Sequence, residues 1–192
     1  MDEPHQPPVS SDFSALVLPH RDAAFNLALW ILANPSDAED VTQQALVRAW
    51  RALPQYRGGS ARAWLLKIVR NAAYTHLERR KRSANVVPLE EATRRRETSQ
   101  RGLELADDGP DAETRLIRAD EHAALAAALE ALPLPLKETI ILREMEGLSY
   151  HDIAAVMGVP IGTVMSRLAR ARGQLRRAMV PQATEGGRNR AL

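Results

Sequence analysis

Between about Ser83 and Pro110 the helical apolar repeat that runs through the rest of this 192-residue chain fades into Thr93-Arg94-Arg95-Arg96-Glu97-Thr98-Ser99-Gln100 and Asp107-Asp108-Gly109-Pro110. Such a stretch has no apolar face to bury, so it reads as a linker that divides the chain into two folded units. The aromatics divide near the same place: Phe13, Phe25, Trp30, Trp50, Tyr56, Trp64 and Tyr74 precede residue 75, and only Tyr150 follows it. Two small cores of different character are expected, which a chain of this size can supply.

On both sides of the linker the apolar residues recur at helical spacing, and no alternating run with turn signals suggests a sheet. The expected fold is all-α, with two small helical domains, a three-to-four-helix unit and a helix-turn-helix unit. The boundaries read as a tail at 1–10, a first domain at 11–82, a linker at 83–110, a second domain at 111–180 and a tail at 181–192. In the first domain, Ser36 with Glu39 reads as a capping box after Pro35, opening a helix that carries Val41, Ala45, Leu46, Ala49 and Leu53 on one face. Pro54, Gly58 and Gly59 end it. Ser60 then caps a helix with Trp64, Leu65, Ile68, Val69 and Ala72 in one stripe. An earlier helix covers Phe25 to Leu32. In the second domain an Ala-rich helix from Asp111 to about Ala131 is expected to stop at Leu132-Pro133-Leu134-Pro135. Another follows from about Leu136 to Glu146, ending at Gly147.

Several function classes drop out. The chain has no cysteine, which removes disulfide scaffolds, Cys-ligated metal and thiol catalysis and fits a reducing compartment, the cytoplasm by default. The apolar stretch Ala23 to Ala33 is shorter than the roughly 20 residues of a membrane span, so no membrane insertion is expected. Met1 to Pro8 has no basic segment before an apolar one, which argues against a secretory signal. His5, His20, His76, His122 and His151 are scattered with no metal-ligand spacing, and the carboxylates gather at one helix start and in the linker. No metal, cofactor or catalytic residue is therefore expected, and His76 and His151 read as surface or packing residues.

The most informative segment is Ser149-Tyr150-His151-Asp152-Ile153-Ala154-Ala155-Val156-Met157, followed by Gly158-Val159-Pro160 and a helix from Ile161 to about Met179. A cap at Ser149, a small residue at Ala154 and a turn glycine at Gly158 are the spacing of a helix-turn-helix. Projection of the second helix puts Ile161, Val164, Leu168, Ala171 and Leu175 on one side and Thr163, Ser166, Arg167, Arg170, Gln174 and Arg177 on the other. Residues 167 to 177 carry five Arg, Arg172 among them, and no acid. Arg bonds base edges bidentately while Ser, Thr and Gln fit close to the groove floor, so this outer face suits a major-groove reader. The alternative is an amphipathic helix with a solvated basic face.

Two other faces stand out. Lys67, Arg70, Asn71, Tyr74 and Glu78 lie opposite the Trp64/Ile68 stripe, and residues 62 to 82 hold seven Lys and Arg against one Glu. Basic groups beside an amide and an aromatic suit a strand whose bases are open, because the ring stacks and the amide reads an edge. The same residues equally describe a solvated helix end whose cations favour its C-terminus. On the preceding helix Val47 projects among Asp37, Asp40, Gln43, Gln44, Arg48 and Arg51 with Trp50 at the edge, which looks like a protein-docking surface. Asp37, Glu39 and Asp40 could instead serve only to complement the helix N-terminus.

These residues resemble a known family. The segments Asp37-Ala38-Glu39-Asp40-Val41-Thr42-Gln43-Gln44-Ala45-Leu46-Val47-Arg48-Ala49-Trp50 and Ala63-Trp64-Leu65-Leu66-Lys67-Ile68-Val69-Arg70-Asn71 are similar to region 2 of bacterial extracytoplasmic-function (ECF) RNA polymerase sigma factors, of the sigma-70 family. The run from Gly147-Leu148-Ser149-Tyr150 to Ala171-Arg172 is similar to their region 4. The resemblance covers both domains and omits only the tails and linker. It implies a stress-response type of transcription initiation factor that binds core RNA polymerase through the clamp helices of the largest subunit and the flap region. Asp37, Asp40, Gln43, Gln44, Val47 and Trp50 would form the polymerase face. The loop from Leu53 to Ser60, with Tyr56, and the helix bearing Lys67, Arg70, Asn71 and Tyr74 would hold the promoter minus-ten element open, with Arg79 and Arg80, in the cluster that runs to Arg82, on phosphates. Thr163, Ser166, Arg167, Arg170, Arg172 and Gln174 would read the minus-thirty-five element as duplex. The acidic linker would thread towards the polymerase active centre, and an anti-sigma factor is an expected partner. Two positions depart from the pattern: Thr75 stands where members often carry Asp, and Met165 where they often carry a basic residue, so element preferences are expected to differ.

Three other readings account for fewer of the same residues. A helix-turn-helix repressor or activator acting on duplex operators leaves the Asp40/Val47 and Asn71/Tyr74 faces without roles. A sigma-like decoy would be expected to lose Arg79, Arg80, Arg167 and Arg170, which are present. A nucleic-acid enzyme lacks converging carboxylates. The formal charge of +2 conceals the arrangement: two basic blocks flank residues 104 to 121, which carry seven acids against Arg115 and Arg118.

Overall fold

The structure is a computed structural model that describes residues 9–84 and 123–179. Residues 1–8, the C-terminal tail, nearly all of the expected linker and the first part of the Ala-rich helix lie outside the described residues, whereas Val9 and Ser10, expected in the N-terminal tail, open the first helix. Within them every regular element is helical and there is no strand. The elements are α1 (Val9–Leu16), a 3-10 turn (Leu18–His20), α2 (Arg21–Leu32), α3 (Pro35–Ala52), a second 3-10 turn (Leu53–Gln55), α4 (Ala61–Ala84), α5 (123–130), α6 (Leu134–Glu144), α7 (Tyr150–Met157) and α8 (Ile161–Met179).

Local chemistry explains most boundaries, and corrects two expectations. The cap of α3 is Asn34 rather than Ser36: its side chain accepts the Asp37 amide at 2.9 Å from an extended backbone, and Pro35 fills the first helical position. Proline there has no N–H to lose and a φ already suited to the helix, which places the start two residues earlier than the Ser36 reading. The preceding helix does stop before Leu132-Pro133, as expected, but for the same reason Leu134 and Pro135 already belong to α6, which starts two residues before Leu136. The other caps agree with the sequence. Ser60 Oγ accepts the Ala63 amide at 3.1 Å, and Ser149 Oγ accepts the Asp152 amide at 3.1 Å. Gly158 ends α7 at φ 65, a left-handed conformation that glycine adopts without a Cβ penalty.

Helices α2, α3 and α4 pack on one another, and α6, α7 and α8 form the second group. Ala24, Leu27, Ala28, Val41, Ala45, Ala49, Leu65 and Val69 fill the first; Ile141, Leu142, Ile153, Val156, Val164, Leu168 and Ala171 fill the second. The two groups do not stay apart. Helix α7 packs on α4 and α6 on α2, so the buried residues form one continuous apolar cluster rather than the two cores that the sequence implies. On α4 this widens the buried arc: Leu66 and Ala73, outside the Trp64/Ile68 stripe and on the side of Arg70, have no solvent exposure.

Candidate nucleic-acid interface

The outer face of α3 stands free. Asp40, Gln43, Gln44, Arg48 and Arg51 are exposed, and among them Val47 retains 50% and Trp50 42% of its surface. One edge of Trp50 is held by Phe13, the rings meeting edge to face at 5.1 Å. Two large apolar groups kept in solvent on a helix whose opposite side is fully buried lose the stabilisation that burial would give. Asp37 is different. It is part-buried, with Arg80 Nη1 at 3.3 Å and His76 Nε2 at 3.5 Å, so the start of α3 is tied to the end of α4.

The loop between α3 and α4 is organised by Tyr56. Its hydroxyl donates to the Gly59 carbonyl at 2.6 Å and its ring lies 5.1 Å from that of Trp64. Gly58 and Gly59 both take positive φ, 88 and 93, which bends the chain tightly enough for this closure. Tyr56 therefore shapes the loop and leaves Arg57 exposed on it.

The face of α4 that the sequence presents as one surface is divided. Lys67, Asn71, Glu78 and Arg79 are exposed. Arg70 and Tyr74 instead turn towards the second helical group and meet Glu138 of α6, a carboxylate only 1% exposed. The Tyr74 hydroxyl donates to Glu138 Oε2 at 3.0 Å, Arg70 Nη2 lies 3.4 Å from the same oxygen, and the guanidinium lies 4.5 Å from the centre of the Tyr74 ring. Burial pushes the Glu138 carboxyl above its ordinary range, against the opposing pull of the Arg70 charge and the bonds from Tyr74 and Arg70. Burial also raises the Tyr74 phenol to about 12, with the Glu138 charge acting the same way. A second pair closes the seam further along, where Arg62 donates to Glu146, itself 3% exposed. Neither Arg62 nor the two acids stand out in the sequence, because charged residues on and beside helices are ordinary; only their burial marks the acids.

On α8 the predicted inner face is inside: Val164, Leu168 and Ala171 are buried and Ile161 and Leu175 partly so. Outward lie Gly162, Ser166, Ala169, Arg170 and Arg177, with Gln174 exposed and Thr163 and Arg167 half-buried. Gly162 and Ala169 carry little or no side chain, so this side of the helix is low enough for a close approach to its axis. Arg172 stands apart from this line. It makes a two-pronged bond to Glu144 Oε1 at 3.2 and 2.7 Å, which ties α8 to α6. Met165 is 50% exposed on α8. Thr75 donates back to the Asn71 carbonyl at 2.8 Å, a bond within its own helix.

No single helix among the described residues is long and apolar enough to cross a membrane. No group of three or more His, Asp or Glu there is placed to hold a metal ion.

Comparisons with known proteins agree with this arrangement. The family model for sigma-70 region 2 matches residues 16–83, and that for sigma-70 region 4 matches residues 122–175. The chain is 36% identical to the RNA polymerase sigma-H factor of Pseudomonas aeruginosa, over 90% of this chain and 89% of that protein. It is 38% identical to the ECF RNA polymerase sigma-E factor of Escherichia coli K12, over 71% and 70%. Among solved structures, the sigma factor RpoE in complex with the anti-sigma factor NepR from Bartonella quintana superposes with a TM-score of 0.67 at 28% identity, covering 90% of this chain and 99% of that one. CnrH, in complex with the cytosolic domain of CnrY, gives 0.55 at 26% identity, over 88% and 87%. With both region models matched in order, and with relatives aligned along most of their length, this chain belongs to the sigma-70 family of DNA-binding transcription initiation factors, in its extracytoplasmic-function group.

Proposed function

We propose that this protein is a non-catalytic, cytoplasmic specificity subunit that binds core RNA polymerase and selects promoters through their minus-ten and minus-thirty-five elements. The observation that carries the reading is the free face of α3. Val47 and Trp50 remain exposed beside Asp40, Gln43 and Gln44, on the same chain as a helix-turn-helix whose outer side is small and basic. A repressor has use for the second feature only. The clamp helices of the largest polymerase subunit would take the α3 face, with Asp37 at its edge, and the flap region would take the second domain. Lys67, Arg70, Asn71, Tyr74, Arg79 and Arg80, with the loop at Tyr56, would hold the opened minus-ten strand. Thr163, Ser166, Arg167, Arg170 and Gln174 would read the minus-thirty-five duplex, with Arg172 supporting that helix from its tie to Glu144.

Each domain alone offers a modest surface. Joined by a linker, with boundaries at 11–82, 83–110 and 111–180, they raise each other's effective concentration on one promoter. Phosphate contacts would supply salt-dependent affinity and base contacts the choice of sequence. Capture of unstacked bases by the first domain would assist opening, which costs a few kcal/mol per base. An anti-sigma factor is the expected negative regulator, supported by the likeness to the sigma factor RpoE solved in complex with the anti-sigma factor NepR. The test is retention of purified core polymerase on the immobilised chain, together with run-off transcription from promoters that its overproduction induces. Retention with promoter-specific transcripts is the expected result; duplex binding without polymerase retention would return the protein to the repressors.

A further inference from the structure

The seam between the two helical groups is built from opposite charges in an unusual distribution. Both cations, Arg62 and Arg70, come from α4, and both anions, Glu138 and Glu146, come from the second group. The cations keep 36% and 19% of their side-chain surface, whereas the acids keep 3% and 1%. Burial of a carboxylate against so few partners is costly, and the pairing is imperfect. Arg70 Nε and Glu138 Oε1 lie 3.3 Å apart but neither has an aligned hydrogen-bond partner among the described residues, and Arg62 Nε is likewise unmatched. Such ion pairs define a pose more than they lock it. An α4 with its guanidiniums free would carry two anion seats about 12 Å apart along the axis, at 1.5 Å per residue. Exposed Lys67 lies between them in sequence and Asn71 follows.

We infer that Glu138 and Glu146 stand in for nucleic-acid phosphates. In the closed chain they fill the seats at Arg70–Tyr74 and Arg62; in the open chain a single DNA strand takes both seats, and Arg62 becomes a further strand-contacting residue. The chemistry matches, because guanidinium forks and a phenol hydroxyl donate to carboxylate and phosphate oxygens alike. The geometry makes the two occupants exclusive, since a carboxylate that accepts from both Arg70 and Tyr74 leaves that seat no room for a phosphate. Arg167, on α8 of the same helical group, also lies close enough for its charge to act on Glu138. The inference rests on the minus-ten reading of α4.

The test uses the full chain, which has no cysteine of its own, labelled for energy transfer at Arg51→Cys and Arg176→Cys. The probe is a fluorescent oligo(dT) strand, which reports phosphate and stacking contacts without base reading. Glu138→Ala and Glu146→Ala remove the acceptors that fill the two seats, and each is expected to lower transfer and to tighten oligo(dT) binding by about tenfold. Adding Arg62→Ala to either variant removes most of that gain. Because Glu138 is central and Glu146 lies at a separate pair, the second variant decides the matter if the first fails to fold. Unchanged transfer and unchanged affinity in the folded variants would show that the acids do not hold the seam. Lowered transfer without tighter binding would show that the seats are not phosphate seats. If neither the wild type nor any variant binds the strand, even with core polymerase present, the minus-ten reading fails and this inference with it.

Discussion

Replacing Asn34 by Ala removes the one side-chain acceptor at the start of the helix that bears the proposed polymerase face. In the structure its side chain takes the Asp37 amide at 2.9 Å, and Pro35 has no N–H to satisfy, so the cap serves one of the few first-turn donors that have no partner within the helix. Loss of an Asn cap costs about 1 kcal/mol, within a range of roughly 0.5–2. For a domain of this size that corresponds to a fall of about 4–8 °C in Tm. Ser36→Ala gives the contrast. The sequence alone nominates Ser36 as the cap, whereas the structure places it inside the helix and exposed, where a surface change stays within about 0.5 kcal/mol. Asn34→Asp should remain near wild type, since Asp caps about as well as Asn. Thermal melts followed by circular dichroism, on the full chain at one ionic strength, measure all three. Polymerase affinity well below the melting range should be the same for each, because none of the three changes the exposed Val47 and Trp50. A Ser36→Ala loss equal to or larger than that of Asn34→Ala would refute the assignment of the cap.

Three further outcomes are expected. Val47→Ser with Asp40→Ala should weaken core polymerase binding by about 1–2 kcal/mol in a titration while leaving the melting curve in place, as both side chains are exposed. Arg170→Ala should weaken minus-thirty-five duplex binding by about 1–3 kcal/mol, and Arg172→Ala by less, because Arg172 is held by Glu144 in an exposed pair worth about 0.2–1 kcal/mol to the fold; equal losses in a fluorescence anisotropy series would return Arg172 to the reading line. Closure should also depend on pH. Burial raises the Glu138 carboxyl in the closed form, against Arg70, Tyr74 and Arg167, and opening returns it to the ordinary range, so the closed chain binds the proton more tightly. Its contribution is fully present below the ordinary carboxylate pKa and is lost as pH rises through the raised value, so energy transfer should increase on acidification and Glu138→Gln should flatten the profile.

Much of the architecture was legible because helices announce themselves locally. A period of 3.6, a serine before a turn, and a glycine after one place α7 and α8 and their inward Val164, Leu168 and Ala171 from the chain alone. The outward face of α3 was legible for the same reason, since Val47 falls where only polar residues belong. The start of that helix was misplaced by two residues because Ser36 and Asn34 carry the same capping chemistry, and only the path of the backbone through Pro35 tells which of them is at the end.

The sequence by itself determined which helices form, which of their faces are apolar, and that two basic sets lie on either side of an acidic stretch; each of these depends on neighbours a few residues apart. What it could not hold was the fate of Arg70 and Tyr74. Their helical register puts them on the same open face as Lys67 and Asn71, yet they end against Glu138, 68 and 64 residues away. Long-range burial of this kind follows from how α6 and α7 settle on α2 and α4, and no local pattern encodes it. The tertiary structure alone decided that part of the proposed nucleic-acid face is already occupied, because a carboxylate reads as solvated or buried only once the packing around it is known.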